Sequence, residues 1–411
     1  MAADRDRRLT WLLGASAFAN LGDGIAKVAF PLIAARLTQD PLLIAGLSAA
    51  QFVPWLLFGL LAGAMLDRVD RRRAMVLANS ARAAAVGATA LLIHFDAATI
   101  WVVYVAALVV GIAETVADSA ANVLIPSVVD RGGLSSANSK LQATEIVGQT
   151  FLGGPVGSLT FALFAAFPFL LNSAAFALGA ALLAAMAGSY HPRRGGGAEE
   201  PAPTRTAVRA DIAEGLRWLR GNRLLLRLLI VAGLINLVSE MAQAQLVLYA
   251  LDDLLLSEAA FGLFALVGGA GGLAGAAVAP RLTDRVGSAP TLVGGVVAGG
   301  AAFLAMGMSD QPVVSGLLFG VFAAAIVAVN VVVATARHTL VPEELLGRVL
   351  GVWRTVVWGA LPVGALLGGV TTRWLGTPSA TFVLSGVALL GVAVLAAVTV
   401  RGHDLTPAHH S

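Results

Sequence analysis

The sequence of 411 residues has no cysteine, only two lysines and little charge. Without cysteine, the chain can form no disulfide bond and use no thiol chemistry. Ala26 precedes Lys27 and Ser139 precedes Lys140, so neither lysine belongs to the Gly-Lys-Ser/Thr element of a Walker loop. Charged residues make up 12% of the sequence, half of the ~25% in a typical soluble domain. These shortages exclude a disulfide scaffold, a Walker-type ATPase and an ordinary soluble protein.

Long apolar runs take up most of the chain. Hydrophobic residues form 58% of the sequence, and the mean hydropathy is +0.83. About twelve runs reach the ~17–25 residues that a membrane-spanning helix needs. The fifth is predicted to extend from Ala137 to Phe161 and the seventh from Leu224 to Leu246. We therefore predict an all-α integral membrane protein with these twelve transmembrane helices.

Basic residues concentrate on one side of the predicted membrane. Arginines cluster before the first run and after the second, sixth, eighth and tenth, whereas the opposite connections contain mostly aspartate and glutamate. The positive-inside rule predicts cytoplasmic termini for a multi-pass protein of the cell membrane, here a bacterial inner membrane. Scattered basic residues argue against nucleic-acid binding despite the pI of 9.8. The N-terminal sequence resembles a secretory signal peptide, but its apolar run continues to Ala35, which is too long for one. We therefore expect no cleavage.

A polar segment from Ser189 to Asn222 separates six apolar runs from six others. The two halves repeat a short motif. Asp67-Arg68-Val69 follows the second run, and Asp284-Arg285-Val286 follows the second run of the other half. We predict an N-terminal six-helix bundle (residues 1–188), a cytoplasmic linker (189–222) and a C-terminal six-helix bundle (223–411). The two bundles are expected to be pseudo-symmetric, with the solute site near the membrane midplane between them.

Part of this linker, from about Ala207 to Arg220, has apolar residues at helical spacing and arginines on other faces. The pattern fits a helix along the inner leaflet, where its arginines meet anionic head groups. A simple solvated connector fits the pattern almost as well.

A polar stripe interrupts the first apolar run. Ser16, Asn20, Asp23 and Lys27 are spaced so that they share one helix face. A charged group near mid-bilayer costs roughly 2.5–3.5 kcal/mol, so such groups persist where they face a watery cavity or a partner. The stripe therefore indicates a solute path. The alternative is an Asp23–Lys27 ion pair that only orients the helix.

Other apolar runs also contain polar side chains, which we predict to line the same path. They are Glu114, Asp118 and Asn122 in the fourth run, Gln142, Glu145 and Gln149 in the fifth, and Asn236, Glu240 and Gln243 in the seventh. Arg82 in the third run sits at a depth similar to that of Glu114, so an ion pair between these two is expected.

The connection after the second run carries the most specific motif. Residues 63–73 read Gly-Ala-Met-Leu-Asp-Arg-Val-Asp-Arg-Arg-Arg. They resemble the loop signature Gly-x-x-x-Asp-Arg-x-Gly-Arg-Arg of the major facilitator superfamily, with Asp70 in place of the usual glycine. The matching positions are Gly63, Asp67, Arg68, Arg71 and Arg72.

The resemblance implies the fold of that superfamily and a cytoplasmic gate at this loop. In such a gate, Asp67 caps a helix of the opposite half and the arginines contact acidic groups, for which Asp118 is the candidate. Asp284 and Arg285 form the second, weaker copy of the motif.

Two further resemblances point to export. Gly153-Gly154-Pro155-Val156-Gly157 is similar to the glycine-proline motif of antiporters, which implies a helix bend at Gly154, Pro155 and Gly157. Residues 20–23, 111–114 and 136–138 together resemble the branch that includes bacterial siderophore and macrolide efflux proteins.

These resemblances imply a secondary active transporter, working by alternating access. The expected activity is proton-coupled efflux of small hydrophobic or amphipathic molecules, of drug, macrolide or siderophore type. Asp23, Glu114 and Glu240 are the candidate proton carriers. We expect a monomer in the lipid bilayer with a small-molecule substrate and protons as partners, and no cofactor, metal or nucleic acid.

Two alternatives remain open. One is a lipid-handling relative, such as a lysophospholipid flippase. The other is a polytopic membrane enzyme, against which stand the missing Gly-x-Ser-x-Gly elbow and the lack of a metal-ligand cluster or deep histidine in the sequence.

Overall fold

A computed structural model describes residues 2–66, 69–129, 134–186 and 205–401. The described residues form helices and connections, without a strand. The helices before the linker are α1 (Ala2–Leu37), α2 (Pro41–Leu66), α3 (Arg71–His94), α4 (Ile100–Val128), α5 (Leu134–Glu145), α6 (Gly154–Leu163) and α7 (Phe167–Ala185). A π-helical stretch, π1 (Ile146–Gly153), joins α5 to α6.

The second series begins inside the predicted linker. It comprises α8 (Arg205–Gly221), α9 (Arg223–Gln243), α10 (Leu246–Leu248), α11 (Glu258–Val286), α12 (Ser288–Gly307), α13 (Pro312–Leu340), α14 (Glu343–Leu375) and α15 (Pro378–Val400). A second π-helical stretch, π2 (Tyr249–Asp253), follows α10.

The predicted all-helical membrane architecture is confirmed. Among the described residues, 11 helical segments are long and apolar enough to span a bilayer, and a shorter apolar segment lies at Pro41–Leu56 of α2. One of the 11, Ser136–Leu163, includes π1, and another, Arg223–Asp253, includes π2.

The chain forms two compact units. Unit 1 contains residues 1–39, 50–202 and 257–266. In this unit α7 packs against both α1 and α3, and α3 also packs against α4.

Unit 2 contains residues 40–49, 203–256 and 267–411. Here α12 packs against α13 and α15, while α14 packs against α9. A small alanine cluster, in which side chains of minimal volume let helices approach, joins Ala45, Ala49, Ala244 and Ala365.

Local chemistry explains where several helices begin and end. Asp70 caps α3 by accepting a 3.0 Å hydrogen bond from the Arg73 backbone N–H, which gives a reason for an aspartate where the loop signature has glycine. Asn222 caps α9 in the same way, accepting from Leu225 at 3.1 Å. Gly376, at φ 84°, ends α14 in the left-handed conformation that glycine adopts readily.

Two predicted spans differ from the observed ones. The fifth run is α5, π1 and α6 in succession rather than one regular helix. The seventh continues beyond Leu246 to Asp253. That acidic end is stabilised because the Asp253 carboxylate accepts hydrogen bonds from the backbone N–H, at 2.6 Å, and the hydroxyl of Ser379.

The amphipathic segment of the linker is helix α8, and it packs against α14. Leu219 is fully buried, and Glu214 accepts a 2.8 Å hydrogen bond from Arg348. A Cβ added at Gly215 would lie 2.8 Å from the Arg348 carbonyl oxygen, so only glycine allows this approach. The α8 segment is therefore docked on α14 rather than being a freely solvated connector.

Replacing Gly215 with leucine is expected to loosen this docking. Overpacking of a close helix contact costs about 1–3 kcal/mol, so Arg217 and Arg220, next to the contact, should become more accessible to trypsin. The measurement is the rate of tryptic cleavage in the purified protein. Gly221→Leu is the matched control, because a Cβ there would meet no atom within 4 Å. Equal cleavage rates in the two variants would contradict the docking.

Candidate functional site

The Asp23 carboxylate on α1 is paired with Arg82 of α3. Arg82 donates from Nη2 to Oδ1 of Asp23, and a second bond runs from Nη1 to Asn79 at 3.4 Å. Only 7% of Asp23 and 1% of Arg82 is exposed. Burial of either charge alone is strongly unfavourable, so each charge is tolerated because of the other.

Neither Asp23 nor Arg82 has the ion-pair partner predicted from the sequence. Arg82 does not pair with Glu114, and Asp23 does not pair with Lys27, among the described contacts. The physical reason is the position of α7, which packs against α1 and α3. The Arg82 guanidinium packs over the Phe176 ring of α7, 4.1 Å from its centre. In this position it contacts Asp23.

Helix α7 also contributes a buried amide, that of Asn172. A Cβ at Gly22 would lie 2.7 Å from Asn172 Oδ1 and 2.9 Å from the Phe176 ring, so glycine permits this close packing. The Asn172 amide is fully buried. Its oxygen and nitrogen, and Nε of Arg82, have no hydrogen-bond partner within the described residues. The network around Arg82 therefore has unused hydrogen-bonding capacity.

Two further carboxylates act on this pair. Glu114 and Asp118 of α4, together with Arg82 and Lys27, are near enough to interact electrostatically with Asp23. Three carboxylates thus face two cations. Burial decreases along the series, because Asp23 is buried, Glu114 is half-buried and Asp118 is exposed. We call these five residues the Asp23 cluster; its excess carboxylate makes it a site that can take up a positive charge.

Lys27 is held by a glutamine of π1. Its Nζ donates to Gln149 Oε1 at 2.5 Å, and Gln149 Nε2 donates to Asn20 Oδ1 at 2.9 Å. Gln149 therefore bridges two residues of the predicted polar stripe. The Lys27 side chain is exposed although its neighbours Ala26 and Val28 are buried.

The sequence predicts Gln149 as a polar side chain of the fifth run, but it does not predict that Gln149 contacts α1. The available signal in the sequence is an amide within an apolar run, beside Gly148. Glu145, on the same span, is exposed and accepts a 3.4 Å hydrogen bond from Gln142. Electrostatically, Glu145 acts on Asp118.

Glycines bring π1 into near backbone contact with α1. A Cβ at Gly24 would lie 2.7 Å from the Gln149 Cα, and one at Gly148 would lie 3.0 Å from Asn20. A methyl group at Gly153 would overlap the Gly24 Cα. This close approach places the Gln149 amide within reach of α1.

The glycine-proline motif lies where π1 changes into α6. Gly154 begins α6 and Pro155 lies in its first turn, where the missing N–H of proline costs little. A Cβ at Gly157 would lie 3.1 Å from the Ile25 carbonyl oxygen, so this glycine contacts α1. A π-helical turn is a known cause of helix irregularity, and the predicted bend remains a prediction.

The predicted site residues of α9 form no comparable cluster. Asn236 donates to the Val357 carbonyl oxygen at 3.3 Å. Glu240 is buried, with 9% exposed, and no charged group of the described residues acts on it. Gln243 is half-buried at the end of the helix. The structure thus assembles charged partners around Asp23 and not around Glu240.

The gate motif is described only in part. Asp67 and Arg68 lie outside the described residues, and Gly63 lies in α2. Asp284 and Arg285 are exposed in the last turn of α11.

The described arginines of this motif, Arg71 and Arg72, form no described contact with Asp118. Arg71 is half-buried, and Arg72 donates to the carbonyl oxygens of Met186 and, at 3.5 Å, Ala184. The C-terminus of α7 leaves carbonyl groups unsatisfied and carries partial negative charge, which attracts this guanidinium. Asp118 instead belongs to the Asp23 cluster.

Comparison with known proteins covers the whole chain. A family model described as transmembrane secretion effector matches residues 2–409. Multidrug efflux pump Tap of Mycolicibacterium fortuitum is 28% identical over 406 residues, which cover 97% of this chain and 97% of that protein. The uncharacterized MFS-type transporter YfiS of Bacillus subtilis is 27% identical over 398 residues, 94% of this chain and 92% of that one.

Solved structures show the same fold. The nucleoside transporter NupG, as its D323A mutant, superimposes with a TM-score of 0.76 at 12% identity, covering 96% of this chain and 99% of that chain. A bacterial homologue of the human lysosomal transporter Spinster, inward-facing and occupied, has a TM-score of 0.73 at 14% identity, with 96% of each chain covered.

The matched family consists of membrane transporters rather than enzymes. The chain therefore belongs to the transmembrane secretion effector family of the major facilitator superfamily and is a multi-pass membrane transporter of small molecules.

Proposed function

We propose that the protein is a proton-driven exporter of small hydrophobic or amphipathic molecules and that Asp23 carries the proton. The observation that carries the proposal is the buried Asp23–Arg82 pair, with Glu114 and Asp118 adding negative charge. Ionisable groups inside membrane helices are costly and mark ion or proton pathways. The name of the Mycolicibacterium relative, a multidrug efflux pump, supports the substrate class.

The proposed cycle begins when a proton reaches Asp23. The exposed Asp118 and half-buried Glu114 provide a graded route to the buried carboxylate. Protonation cancels the charge that holds Arg82, whose guanidinium can then turn towards Glu114 or the unbonded Asn172 amide. A proton changes a conformational equilibrium only if it binds one conformation more tightly than the other. The exchange of partners by Arg82 supplies that difference.

The remaining parts of the proposal concern orientation and gating. We place both termini in the cytoplasm, on the side where the arginine-rich connections lie. Asp67 and Arg68 would then belong to a cytoplasmic gate, and alternating access would expose the Asp23 cluster to each side in turn. Glu114 and Glu240 are the second and third candidates for the proton.

Uptake by everted membrane vesicles tests the proposal. With an imposed gradient that is acid inside, vesicles containing the protein should accumulate the lipophilic cation ethidium several-fold above vesicles without it. Nigericin, which collapses the gradient, should remove the difference. Uptake that is insensitive to nigericin would contradict proton coupling. Movement of a fluorescent lysophospholipid without any movement of ethidium would contradict the substrate class.

A further inference from the structure

Four exposed arginines surround the junction between α8 and α9. None of them forms a hydrogen bond or ion pair with another described residue. They are Arg217 and Arg220 near the end of α8, and Arg223 and Arg227 in the first two turns of α9. Gly221 and Asn222, the α9 cap, are the two residues between the pairs. We call this set the arginine junction.

The docking of α8 leaves its basic side facing outward. Leu219 and Gly215 are buried and lie on the face turned to α14. Helical geometry puts Arg217 and Arg220 roughly 100° or more away from that face. Glu214, the acidic residue among the described side chains of α8, is already paired with Arg348. The charge that remains at the surface of the junction is therefore positive.

The start of α9 continues this positive surface towards the membrane. Arg223, Arg227 and Ile230 follow one another at intervals of four and three residues, so they share one face. Ile230 is 46% exposed, and it belongs to a segment long and apolar enough to span a bilayer. If this segment spans the bilayer, the exposed isoleucine would meet acyl chains, and the arginines one and two turns before it would be at the level of the head groups.

We propose that the arginine junction binds the head group of an anionic phospholipid. Guanidinium groups bind phosphate oxygens through paired, charge-assisted hydrogen bonds, and clusters of basic residues beside a membrane helix attract anionic lipids. The phosphate lies among the arginines, and the acyl chains lie along the face of Ile230. Because the site adjoins the exposed Ile230 on a segment apolar enough to span a bilayer, the ligand is a lipid and not a free phosphate ion.

Thermal unfolding of the purified protein tests the site. For each variant, the unfolding midpoint is measured once with phosphatidylglycerol and once with phosphatidylcholine of the same acyl chains. The difference between the two midpoints is the lipid-dependent shift. The unmodified protein should be stabilised by phosphatidylglycerol. The double variant Arg223→Gln/Arg227→Gln should lose about half or more of that shift, because half of the junction's positive charges are gone.

The matched control is Arg281→Gln/Arg285→Gln. These arginines have the same spacing and are also exposed near the end of a spanning segment, but the exposed Asp284 lies between them. This control should keep the whole lipid-dependent shift. The proposal is overturned if the Arg223/Arg227 variant keeps it as well, if both variants lose it equally, or if inorganic phosphate reproduces it in the unmodified protein.

Discussion

Asp23→Asn is expected to abolish gradient-driven extrusion while the protein still inserts into the membrane. Asparagine retains the shape and one acceptor oxygen of the side chain but cannot exchange a proton. In vesicles, ethidium uptake driven by an acid interior should fall to the level of vesicles without the protein. Survival of cells on toxic compounds should fall in parallel. Asp310→Asn, at an exposed aspartate, is the control and should transport normally.

A loss of activity also follows if Asp23→Asn merely leaves Arg82 unpaired. Removing one partner of a buried ion pair costs about 3–5 kcal/mol, enough to reduce the amount of folded protein. The double variant Asp23→Asn/Arg82→Gln removes both charges and should recover thermal stability without recovering transport. Recovery of gradient-driven transport in the double variant, or normal transport by Asp23→Asn, would show that the pair is structural.

Gly153→Ala is expected to destabilise the protein, although replacing a helical glycine with alanine normally stabilises a helix. The added methyl group would overlap the Gly24 backbone, so π1 and α1 must separate. Overpacking typically costs about 1–3 kcal/mol and occasionally more. The same separation should withdraw Gln149 from Lys27, whose hydrogen bond is 2.5 Å long. Thermal unfolding in detergent measures the first effect, and ethidium transport measures the second.

Gly391→Ala is the matched control for this substitution. Gly391 lies in α15, and a Cβ there would meet no atom within 4 Å. Since alanine favours a helix over glycine by about 1 kcal/mol, this variant should be as stable as the original protein or more so. If Gly153→Ala and Gly391→Ala unfold at the same temperature, the close contact between π1 and α1 is wrong.

The fold was largely accessible from the sequence. The number of apolar runs and the loop signature led to the correct superfamily, because hydropathy over ~20 residues and a contiguous motif are local properties. Two spans differ from the prediction: the fifth is not one regular helix, and the seventh extends beyond Leu246. Hydropathy does not distinguish the π-helical register of residues 146–153 from an α-helix, and the acids at Asp252 and Asp253 concealed the continuation of the seventh span.

The candidate site was accessible only in part. The spacing of Asn20, Asp23 and Lys27 by itself determined that α1 has a polar face, because the helical period fixes which residues share a side. Only the tertiary structure decided the partners of that face. Arg82 is 59 residues from Asp23, and Gln149 is 122 residues from Lys27. Such pairs depend on which helices pack together, here through α7 and the glycines of π1, and the period of one helix contains no information about its neighbours.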